Sequence, residues 1–458
     1  MSFSNILHRQ REFFNSGNTL KYKYRIFQLK KLKKLIIDYE KQILDAVKED
    51  LSKPDFENYF SEIQISLMEL DFAIKNLKRW MKAEFVKTPF MHQPGYSFTK
   101  AEPLGVVLII APWNYPFQLI ISPLIANIAA GNCAILKPSE ISENSSNIIA
   151  KLINENFDAN YIKVIEGDAA VSESLLKLKF DNIFYTGSSA VGKIVMRAAA
   201  EHLTPVTLEL GGKSPCIVDK NIALKTTARR IVWGKFFNAG QTCIAPDYVL
   251  VHKEQKENLI KDLKKAIEEF YGQNAEISKD YARIINEKHF NRLKNYLLEG
   301  EIVYGGKTNA EAKYIEPTIL TNIKADAKVM IDEIFGPILP IIEYTDTEDV
   351  IEYINSRPKP LALYIFSKSS DFTKTILSRT SSGGVCINDT LSHITTTSLP
   401  FGGVGNSGMG KYHGKAGFDT LSHRKSVMKK SFLIDYSLRY PPYGKLNRLL
   451  KSLISWIS

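Results

Sequence analysis

The sequence predicts an α/β protein with a parallel, doubly wound sheet, a second α/β domain and a small bridging β-ribbon. The first observation is the continuous apolar run at residues 104–110, which is typical of a strand buried on both faces of a parallel sheet. The second is the alternation of such strands with helical segments up to residue 205, and the third is a similar pattern that begins near Val206. The chain has 458 residues, which is too long for one ordinary core, so two or three domains are expected.

Each part of the chain has a pattern that predicts its elements. Residues 1–82 are predicted to be helical and to end near Trp80, whereas residues 90–103, with Pro94 and Gly95, favour a ribbon that connects domains. In the first α/β segment, strands are predicted at residues 104–110, 133–136, 161–165 and 182–185. In the second segment, strands are predicted at residues 216–218, 248–251, 339–342, 362–365 and 384–387.

The net charge of +11 is compatible with binding to nucleic acid or to a membrane surface. The basic residues are dispersed, however, and the cluster Lys30, Lys31, Lys33 and Lys34 alternates with leucines at helical spacing. This spacing favours a solvated helix face. Neither zinc-finger spacing nor an RNA-binding aromatic signature accompanies the charge, so no nucleic-acid partner is predicted.

The cysteines and the termini indicate a cytoplasmic protein. The four cysteines are far apart and include no CxxC pair, and the eight histidines include no HExxH pattern, so neither a disulfide framework nor a metal site is predicted. The N-terminal segment lacks the apolar core of a signal peptide, and no stretch reaches the roughly 18 apolar residues of a membrane span.

Cys243 is the cysteine whose surroundings favour chemistry. It is flanked by Gly240, polar residues and Pro246, which predicts a turn instead of a buried strand. The residues alone leave two alternatives open for it, a nucleophile or a packed core cysteine. Cys133, Cys216 and Cys386 lie within or beside apolar strand segments and are predicted to be small buried hydrophobic residues.

Glu209 and Asn114 are two further candidates. Glu209 lies between two leucines and before a glycine pair, so it is either a base with a raised pKa or a residue on the exposed face of an edge strand. Asn114 follows the strand at residues 104–110 in a loop that contains two prolines. Its amide is either a donor to a developing oxyanion or an ordinary turn residue.

Two segments after predicted strands favour a nucleotide site. Gly187 and Gly192 form a glycine turn that opens a helix, and helix N-termini attract phosphate groups. Lys137 and Glu140 follow the strand at residues 133–136, where an acid in doubly wound folds binds a ribose hydroxyl.

Two further glycine-rich matches do not favour a nucleotide site. The GxGxxG match at residues 403–408 lacks a preceding apolar strand, and the near match to a P-loop at residues 405–411 is followed by Tyr412, where Ser or Thr is needed. Both matches favour a structural turn.

Taken together, these segments resemble the aldehyde dehydrogenase superfamily. The matching segments, in the order that the family has, are Pro112–Asn114, Lys137–Glu140, Gly187–Gly192, Glu209–Lys213, Gly240–Cys243, Glu333–Pro337 and Pro400–Gly403. The short N-terminus and the segments at residues 398–410, 412–414 and 418–423 resemble the class 3 branch, which includes fatty aldehyde dehydrogenases. This resemblance covers nearly the whole chain.

The resemblance implies roles in the oxidation of aldehydes to carboxylic acids. Cys243 would be the nucleophile, Glu209 the general base, and Asn114 with the backbone N–H of Cys243 the oxyanion hole. Tyr115 would line the aldehyde tunnel. Medium- or long-chain aliphatic aldehydes and aromatic aldehydes are the expected substrates, and terpenoid aldehydes are a further alternative.

The resemblance also implies a nicotinamide cofactor in a Rossmann-type domain. Lys137 and Glu140 would hold the adenosine ribose, and Glu333 and Phe335 would place the nicotinamide ribose and ring. The remaining residues expected to bind the cofactor are Trp113, Gly187, Ser188, Val191 and Gly192. The charge of Glu140 would repel a 2′-phosphate, so NAD is expected to be preferred, with NADP tolerated.

The resemblance implies a division of the chain and a partner. Residues 1–82 and 104–205 would form the NAD(P)-binding domain and residues 206–395 the catalytic domain. Residues 83–103 and 396–440 would be bridging and oligomerisation elements of a homodimer. The stripe of leucines and isoleucines in residues 441–458 itself predicts a basic amphipathic tail. This tail would lie on a membrane as a peripheral contact, cap the substrate tunnel or pack on a partner subunit, and packing within the chain or on a subunit is favoured.

Two other classes of function compete with this interpretation. A binding protein that had lost catalysis is disfavoured because both Cys243 and Glu209 are present. An acylating dehydrogenase would pass the thioester to coenzyme A, and Glu209 as a base for water disfavours that outcome.

Overall fold

The computed structural model describes residues 2–435 and 439–441. The helices are α1 (Phe3–Asn15), α2 (Tyr22–Asp38), α3 (Glu40–Leu51), α4 (Asp55–Asn58), α5 (Ile65–Trp80), α6 (Gln118–Ala130), α7 (Glu143–Asn156), α8 (Ala169–Leu176), α9 (Ser189–Ala200), α10 (Leu224–Phe236), α11 (Lys256–Tyr271), α12 (Glu287–Tyr296), α13 (Lys328–Ile331), α14 (Thr347–Asn355), α15 (Ser370–Arg379) and α16 (Gly414–Thr420). The strands are β1 (Glu84–Val86), β2 (Gly95–Pro103), β3 (Val106–Ile110), β4 (Cys133–Lys137), β5 (Ile162–Val164), β6 (Asn182–Thr186), β7 (Val206–Glu209), β8 (Pro215–Val218), β9 (Tyr248–His252), β10 (Glu301–Tyr304), β11 (Thr308–Asn309), β12 (Tyr314–Ile315), β13 (Thr318–Thr321), β14 (Ile338–Tyr344), β15 (Ala362–Phe366), β16 (Gly384–Ile387), β17 (Gly408–Met409) and β18 (Ser422–Lys430).

The first α/β segment forms a doubly wound sheet with the strand order β17-β7-β6-β3-β4-β5. Strands β7, β6, β3, β4 and β5 are parallel, and β17 pairs antiparallel with β7. The chain starts at β3, moves outward through β4 and β5, and then returns to the other side of β3. The strand order therefore reverses between β3 and β6, and ligands of such sheets bind at the carboxyl ends of the strands at that point.

The second α/β segment forms a sheet with the order β10-β13-β14-β9-β8-β15-β16. Its six strands from β13 to β16 are parallel, and β10 closes one edge in the antiparallel direction. Strands β8, β9 and β15 are wholly buried, in agreement with their apolar sequences. The sequence predicted five of these strands and missed β10 and β13.

The chain separates into two compact units that differ from the predicted division. The larger unit comprises Met1–Trp80 and Glu102–His423, so both α/β sheets belong to it. The smaller unit comprises Met81–Ala101 and Arg424–Ser458, and its described part holds the three-stranded sheet β1-β2-β18. The ribbon at residues 83–103 is thus present, whereas residues 396–423, which were assigned to the bridging elements, lie in the larger unit.

The predicted boundary between residues 205 and 206 is wrong by one strand. Strand β7 pairs in parallel with β6, so Val206–Glu209 completes the first sheet instead of opening the second domain. The first strand of the second sheet, β8, begins only after the glycine pair Gly211 and Gly212.

The prediction that Cys386 is buried is wrong. Cys386 lies on the edge strand β16 and is partly exposed, whereas Cys133 and Cys216 are buried as predicted.

The predicted C-terminal tail lies outside the described residues from residue 442 onward. Within residues 2–435 and 439–441, no helix combines the length and the apolar character that crossing a membrane requires. In the same residues, no group of three or more His, Cys, Asp and Glu side chains is arranged to hold a metal ion.

Candidate active site

A cleft of about 650 Å³ lies at the carboxyl ends of the first sheet, where the strand order reverses. Most of the residues that the sequence singled out line it together: Trp113, Asn114, Lys137, Glu140, Gly187, Ser188, Val191, Glu209, Cys243, Glu333 and Phe335. Two predicted residues are placed differently. Gly192 faces the side chain of Leu210, and Tyr115 is buried behind Asn114. One cleft therefore contains both the reactive groups and the nucleotide-binding candidates.

Cys243 lies between the carboxyl end of α10 and the start of β9, partly accessible from the cleft. Burial, together with the carboxylates of Glu333 and Glu209, raises the pKa of its thiol to about 12, although the backbone N–H groups of Cys243 and Ile244 partly offset this effect. The thiol is consequently protonated in the free protein near neutral pH. Formation of the thiolate requires a nearby proton acceptor or a change of the local field.

The backbone before Cys243 has three consecutive residues in the left-handed region. Asn238 and Ala239 have φ values of 53° and 51°, and Gly240 has a φ of 75°. Left-handed backbone is unfavourable for residues with a Cβ atom, so it persists only where the surroundings hold it. Glycine is required at 240 because a Cβ there would lie 2.3 Å from the carbonyl oxygen of Gly336.

Side chains hold this turn from several directions. The Nδ2 of Asn238 donates to the carbonyl oxygens of Asn114 at 3.0 Å and Gln241 at 3.2 Å. The side chain of Gln241 donates to the carbonyl oxygens of Asn238 and Arg283 and accepts from the N–H of Ile285. The Gln241-Thr242-Cys243 segment is thereby fixed against the Asn114 loop.

Asn114 is 2 % exposed in the loop that follows β3. Its Nδ2 donates to the carbonyl oxygen of Gln241 at 3.0 Å, which directs the amide toward the segment that carries Cys243. A side-chain amide has two N–H donors, so the second is available to an oxyanion at the nucleophile. Burial and this hydrogen bond place the amide beside the segment of the nucleophile, and the role of oxyanion donor stays a prediction for Asn114.

Tyr115 connects the same two segments. Its hydroxyl lies 2.5 Å from the Oγ1 of Thr242, the residue before the nucleophile. Burial raises the pKa of this phenol well above its usual value, with Glu57, Cys243 and Glu62 adding to the effect. A contact with the aldehyde stays a prediction for Tyr115.

Glu209 ends β7 in the interior of the sheet, paired with Thr186 on one side and Gly408 on the other. It is 3 % exposed, so the alternative of an exposed edge-strand residue is wrong. Among the described residues, neither carboxyl oxygen has a hydrogen-bond partner, and burial raises the pKa of Glu209 well above its usual value. A carboxyl group in this state accepts a proton readily once it is ionised.

The glycine-rich segment before β17 packs around Glu209. A Cβ on Gly402 would lie 3.1 Å from the Oε1 of Glu209, and a Cβ on Gly403 would lie 2.1 Å from the carbonyl oxygen of Ser407. The GxGxxG match at residues 403–408 is therefore a close-packed structural turn, as predicted. Residues 403–408 are not among the residues that line the cleft, so Gly187 stays the candidate for the phosphate-binding turn.

The same cleft is lined by Glu333 and by the aromatic pair Trp113 and Phe335. A Cβ on Gly211 would lie 2.0 Å from the Oε2 of Glu333, so the glycine makes room for this carboxylate. Burial and the carboxylate of Asp247 raise the pKa of Glu333 to about 8, although the N–H of Gly212 partly offsets this effect. The ring of Phe335 meets that of Trp113 edge to face, with centroids 5.4 Å apart, and their faces border the cleft.

The nucleotide candidates of the first sheet lie where the sequence placed them. The Nζ of Lys137, the last residue of β4, is 3.4 Å from the Oε2 of Glu140 in the segment that follows the strand. Ser188 caps α9 by accepting from the N–H of Val191, so the free N–H groups of the helix start face the cleft. This arrangement suits a ribose beside Glu140 and a diphosphate at the helix.

Helix α12 brings to the cleft three residues that the sequence did not indicate. Lys288, His289 and Arg292 line it, and His289 packs against Trp113 with ring centroids 5.0 Å apart. Arg292 donates to the carbonyl oxygen of Glu333 at 3.4 Å. The helix has no motif that would have indicated this role, because its basic residues resemble those of any solvated helix face.

The sequence profile of the aldehyde dehydrogenase family matches residues 5–427. The chain belongs to this family. It is 51% identical over 442 residues to the 4,4′-diaponeurosporen-aldehyde dehydrogenase of Staphylococcus aureus, covering 96% of each protein. It is 48% identical to the dimeric NADP-preferring aldehyde dehydrogenase of Rattus norvegicus, over 96% of this chain and 98% of that protein.

The fold agrees with solved structures of the family. The structure described as the substrate-bound state of Staphylococcus aureus AldH has a TM-score of 0.97 and 49% identity, covering 99% of this chain and all of that one. The NAD⁺ complex of an aldehyde dehydrogenase from Bacillus cereus has a TM-score of 0.84 and 26% identity, over 93% of this chain and 88% of that one.

These relationships confirm the predicted enzyme class. A further relative, the aldehyde dehydrogenase family 3 member A2 of Rattus norvegicus, is 48% identical over 98% of this chain and 92% of that protein, which confirms the class 3 branch. The protein is an oxidoreductase that converts aldehydes to carboxylic acids with NAD(P).

Proposed function

We propose that this aldehyde dehydrogenase acts through Cys243 as nucleophile, Asn114 as oxyanion donor and Glu209 as the base for hydrolysis. The observation that carries the proposal is that one cleft is lined by all three side chains. The Cys243 thiolate adds to the aldehyde carbonyl carbon, and the carbonyl oxygen becomes an oxyanion. The second N–H of the Asn114 amide and the backbone N–H of Cys243 donate to that oxygen.

Other residues that line the cleft fit a nicotinamide dinucleotide. The room that Gly211 leaves for the Glu333 carboxylate, and the capped start of α9 beside Gly187, support this fit. When bound, the nicotinamide supplies the hydride acceptor. Lys137 and Glu140 would hold the adenosine ribose, and Glu333 and Phe335 would orient the nicotinamide half.

The acyl group then remains on Cys243 as a thioester. Glu209 takes a proton from a water molecule, whose oxygen attacks the thioester carbonyl and releases the acid. The unpartnered, buried carboxyl group of Glu209 supports this role because no other hydrogen bond competes for its oxygens among the described residues. Burial also shields the thioester from uncontrolled reaction with solvent.

The first experiment measures cofactor reduction by absorbance, with NAD or NADP and a series of aldehydes. Cys243→Ala should abolish reduction, whereas Cys386→Ala should retain it, because Cys386 is a partly exposed thiol on the edge strand β16. Retained turnover in Cys243→Ala would contradict the proposal.

We further propose that the substrates are apolar aldehydes of medium or long chain, or aromatic aldehydes. The relative from Staphylococcus aureus, whose name states that it acts on 4,4′-diaponeurosporen-aldehyde, supports a large aldehyde for this chain as well. The aldehyde series should therefore give kcat/KM values that rise from short aliphatic to long-chain or aromatic members. A constant or falling series would overturn this assignment.

We propose that NAD is preferred over NADP. Glu140 at the cleft carries a negative charge that would repel a 2′-phosphate, although Lys137 beside it moderates the repulsion. The rat relative is named as NADP-preferring, so the measured ratio of kcat/KM values is decisive. Glu140→Gln should shift that ratio toward NADP, and a wild-type ratio strongly in favour of NADP would refute the preference.

We also propose a cytoplasmic homodimer. Two observations support the homodimer. The smaller unit has an aromatic cluster on β1 and β2, formed by Phe85, Tyr96 and Phe98, and the rat relative is named as dimeric.

For residues 442–458 we propose that they pack on protein, and a peripheral membrane contact is the other outcome of the test. If lipid vesicles bind the full chain but not a variant that ends at Tyr443, the membrane contact is correct.

A further inference from the structure

The segment from Lys53 to Glu62 places two charges in the interior next to the catalytic loops. The Nζ of Lys53 lies 2.6 Å from the Oε1 of Glu62, and both side chains are wholly buried. The segment follows α3, runs through α4, and enters a π-helical turn at Tyr59–Gln64 that continues into α5. π-Helical turns are rare and occur frequently at functional sites.

Glu62 holds the start of the helix that follows the Asn114 loop. Its Oε2 accepts from the backbone N–H groups of Phe117 at 3.2 Å and Gln118 at 2.9 Å. These N–H groups belong to the first turn of α6, where they have no partner within the helix. The carboxylate therefore fixes the point from which the Asn114 loop departs.

Lys53 holds the Asn114 loop directly. Its Nζ donates to the carbonyl oxygen of Asn114 at 3.3 Å and lies 4.2 Å from the centroid of the Tyr115 ring. The same carbonyl oxygen accepts from the Nδ2 of Asn238 at 3.0 Å. The Asn114 peptide is thus held between a buried ammonium group and the strained turn that leads to Cys243.

We propose that Lys53, oriented by Glu62, is a positioning residue that sets the Asn114 amide for the oxyanion formed at Cys243. The inference rests on the proposed role of Asn114 in catalysis. Lys53 acts through the Asn114 peptide, since its ammonium group donates to the backbone carbonyl and leaves the second N–H of the side-chain amide to face the nucleophile.

The burial of this pair supports a geometric role. Removing two charges from water is unfavourable, and replacing a buried ion pair with apolar side chains of similar size is often neutral or stabilising. Fold stability alone therefore gives little reason for the pair. A fixed ammonium group that holds a loop at hydrogen-bond distance gives a functional reason, because small displacements of catalytic groups lower rates strongly.

The first test separates positioning from stability with Lys53→Met, Glu62→Gln and the double variant. Lys53→Met should lower kcat by about 10- to 100-fold, with KM for the cofactor unchanged. It should also lower the Tm, because Glu62 is left buried without its partner. The double variant removes that unpaired charge and retains an oxygen that accepts from Phe117 and Gln118, so its Tm should recover while kcat stays low. Recovery of kcat together with Tm would overturn the inference.

The second test compares Lys53→Met in the wild type and in Asn114→Ala, using single-turnover rates of cofactor reduction. Asn114→Ala alone should lower the rate by roughly 10² to 10³. If Lys53 acts through Asn114, adding Lys53→Met should lower the Asn114→Ala rate by less than about 2-fold, because coupled residues are not additive. A full additional loss would contradict the positioning role. An unchanged rate for Asn114→Ala alone would instead contradict the proposed oxyanion role.

Discussion

Glu209 combines two properties that are rarely found together in a carboxyl group: full burial and the lack of a hydrogen-bond partner among the described residues. Both disfavour its charged form and raise its pKa. A base with a raised pKa is protonated at low pH and becomes active as the pH rises through that pKa. Because the pKa of the Cys243 thiol is raised as well, kcat, which includes the hydrolysis that Glu209 assists, should increase as the pH rises above neutral.

Glu209→Gln should separate the two halves of the reaction. The variant can still form the thioester, but it lacks the base that activates water. Rapid mixing should therefore show a burst of reduced cofactor close to one per active site, followed by turnover that is slower by about 10²-fold or more. Unchanged steady-state turnover would show that another group activates water. Coenzyme A added after the burst would reveal an acylating enzyme if it releases an acyl thioester.

Glu57 provides a prediction about stability and pH. Its Oε2 accepts from the N–H of Asn238, and burial raises its pKa to about 8, with Lys53 partly opposing the shift. In the unfolded chain its pKa lies near 4.5. The folded protein therefore binds a proton that the unfolded chain has lost between these two values, so its stability falls as the pH rises toward about 8. Glu57→Gln should have the same Tm as wild type near pH 4.5 and a higher Tm near pH 8. Parallel Tm curves for the two proteins would contradict this assignment.

The reactive side chains could be predicted from the sequence because each of them breaks a local pattern. A cysteine in a glycine-containing turn and a glutamate between leucines stand out against buried strands, and the order of the motifs indicates the family. Lys53 and Arg292 break no pattern: one follows an ordinary helix, and the other lies on an amphipathic one. Their positions beside the cleft and the Asn114 loop depend on tertiary packing, which local spacing does not encode.

At the scale of elements, strand β7 shows why the domain boundary was misplaced. It is only four residues long, contains Thr207 and Glu209, and is separated by Leu210 alone from a glycine pair. Its apolar pattern is therefore too short to distinguish it from the start of a new segment. Only pairing with β6 assigns it to the first sheet. The consequence is functional, since this pairing brings Glu209 level with the turn at Gly187.

The turn after β7 gives a prediction at this scale. Gly211 has no Cβ, and one added there would lie 2.0 Å from the Oε2 of Glu333. Gly211→Ala should therefore displace the carboxylate and raise KM for the cofactor by about 10-fold or more, with little change in the aldehyde KM. The matched comparison is Glu333→Ala with and without Gly211→Ala. If displacement of Glu333 is the cause, the double variant should have the same KM for the cofactor as Glu333→Ala. A much higher KM in the double variant would show that Gly211→Ala also disturbs other parts of the site.

At the scale of the whole molecule, the smaller unit carries the feature that bears on assembly. The rings of Phe85, Tyr96 and Phe98 lie within 5.6–6.0 Å of one another, and Phe85 is 69% exposed. Soluble monomers rarely expose contiguous apolar groups of this kind, and aromatic residues are enriched at subunit interfaces. The cluster is therefore the place to test the proposed homodimer.

Phe85→Glu should convert a dimer to a monomer. A charge at the centre of an apolar interface would be buried without a partner and would weaken association by several kcal/mol, or roughly 10²-fold or more in Kd. Leu298→Glu is the matched control, because Leu298 is 84% exposed in the larger unit and outside the aromatic cluster. Sedimentation velocity at several protein concentrations should show a dimer for wild type and for Leu298→Glu, and a monomer for Phe85→Glu. A wild type that sediments as a monomer would refute the homodimer itself. A dimer that persists in Phe85→Glu would place the interface on another surface of the chain.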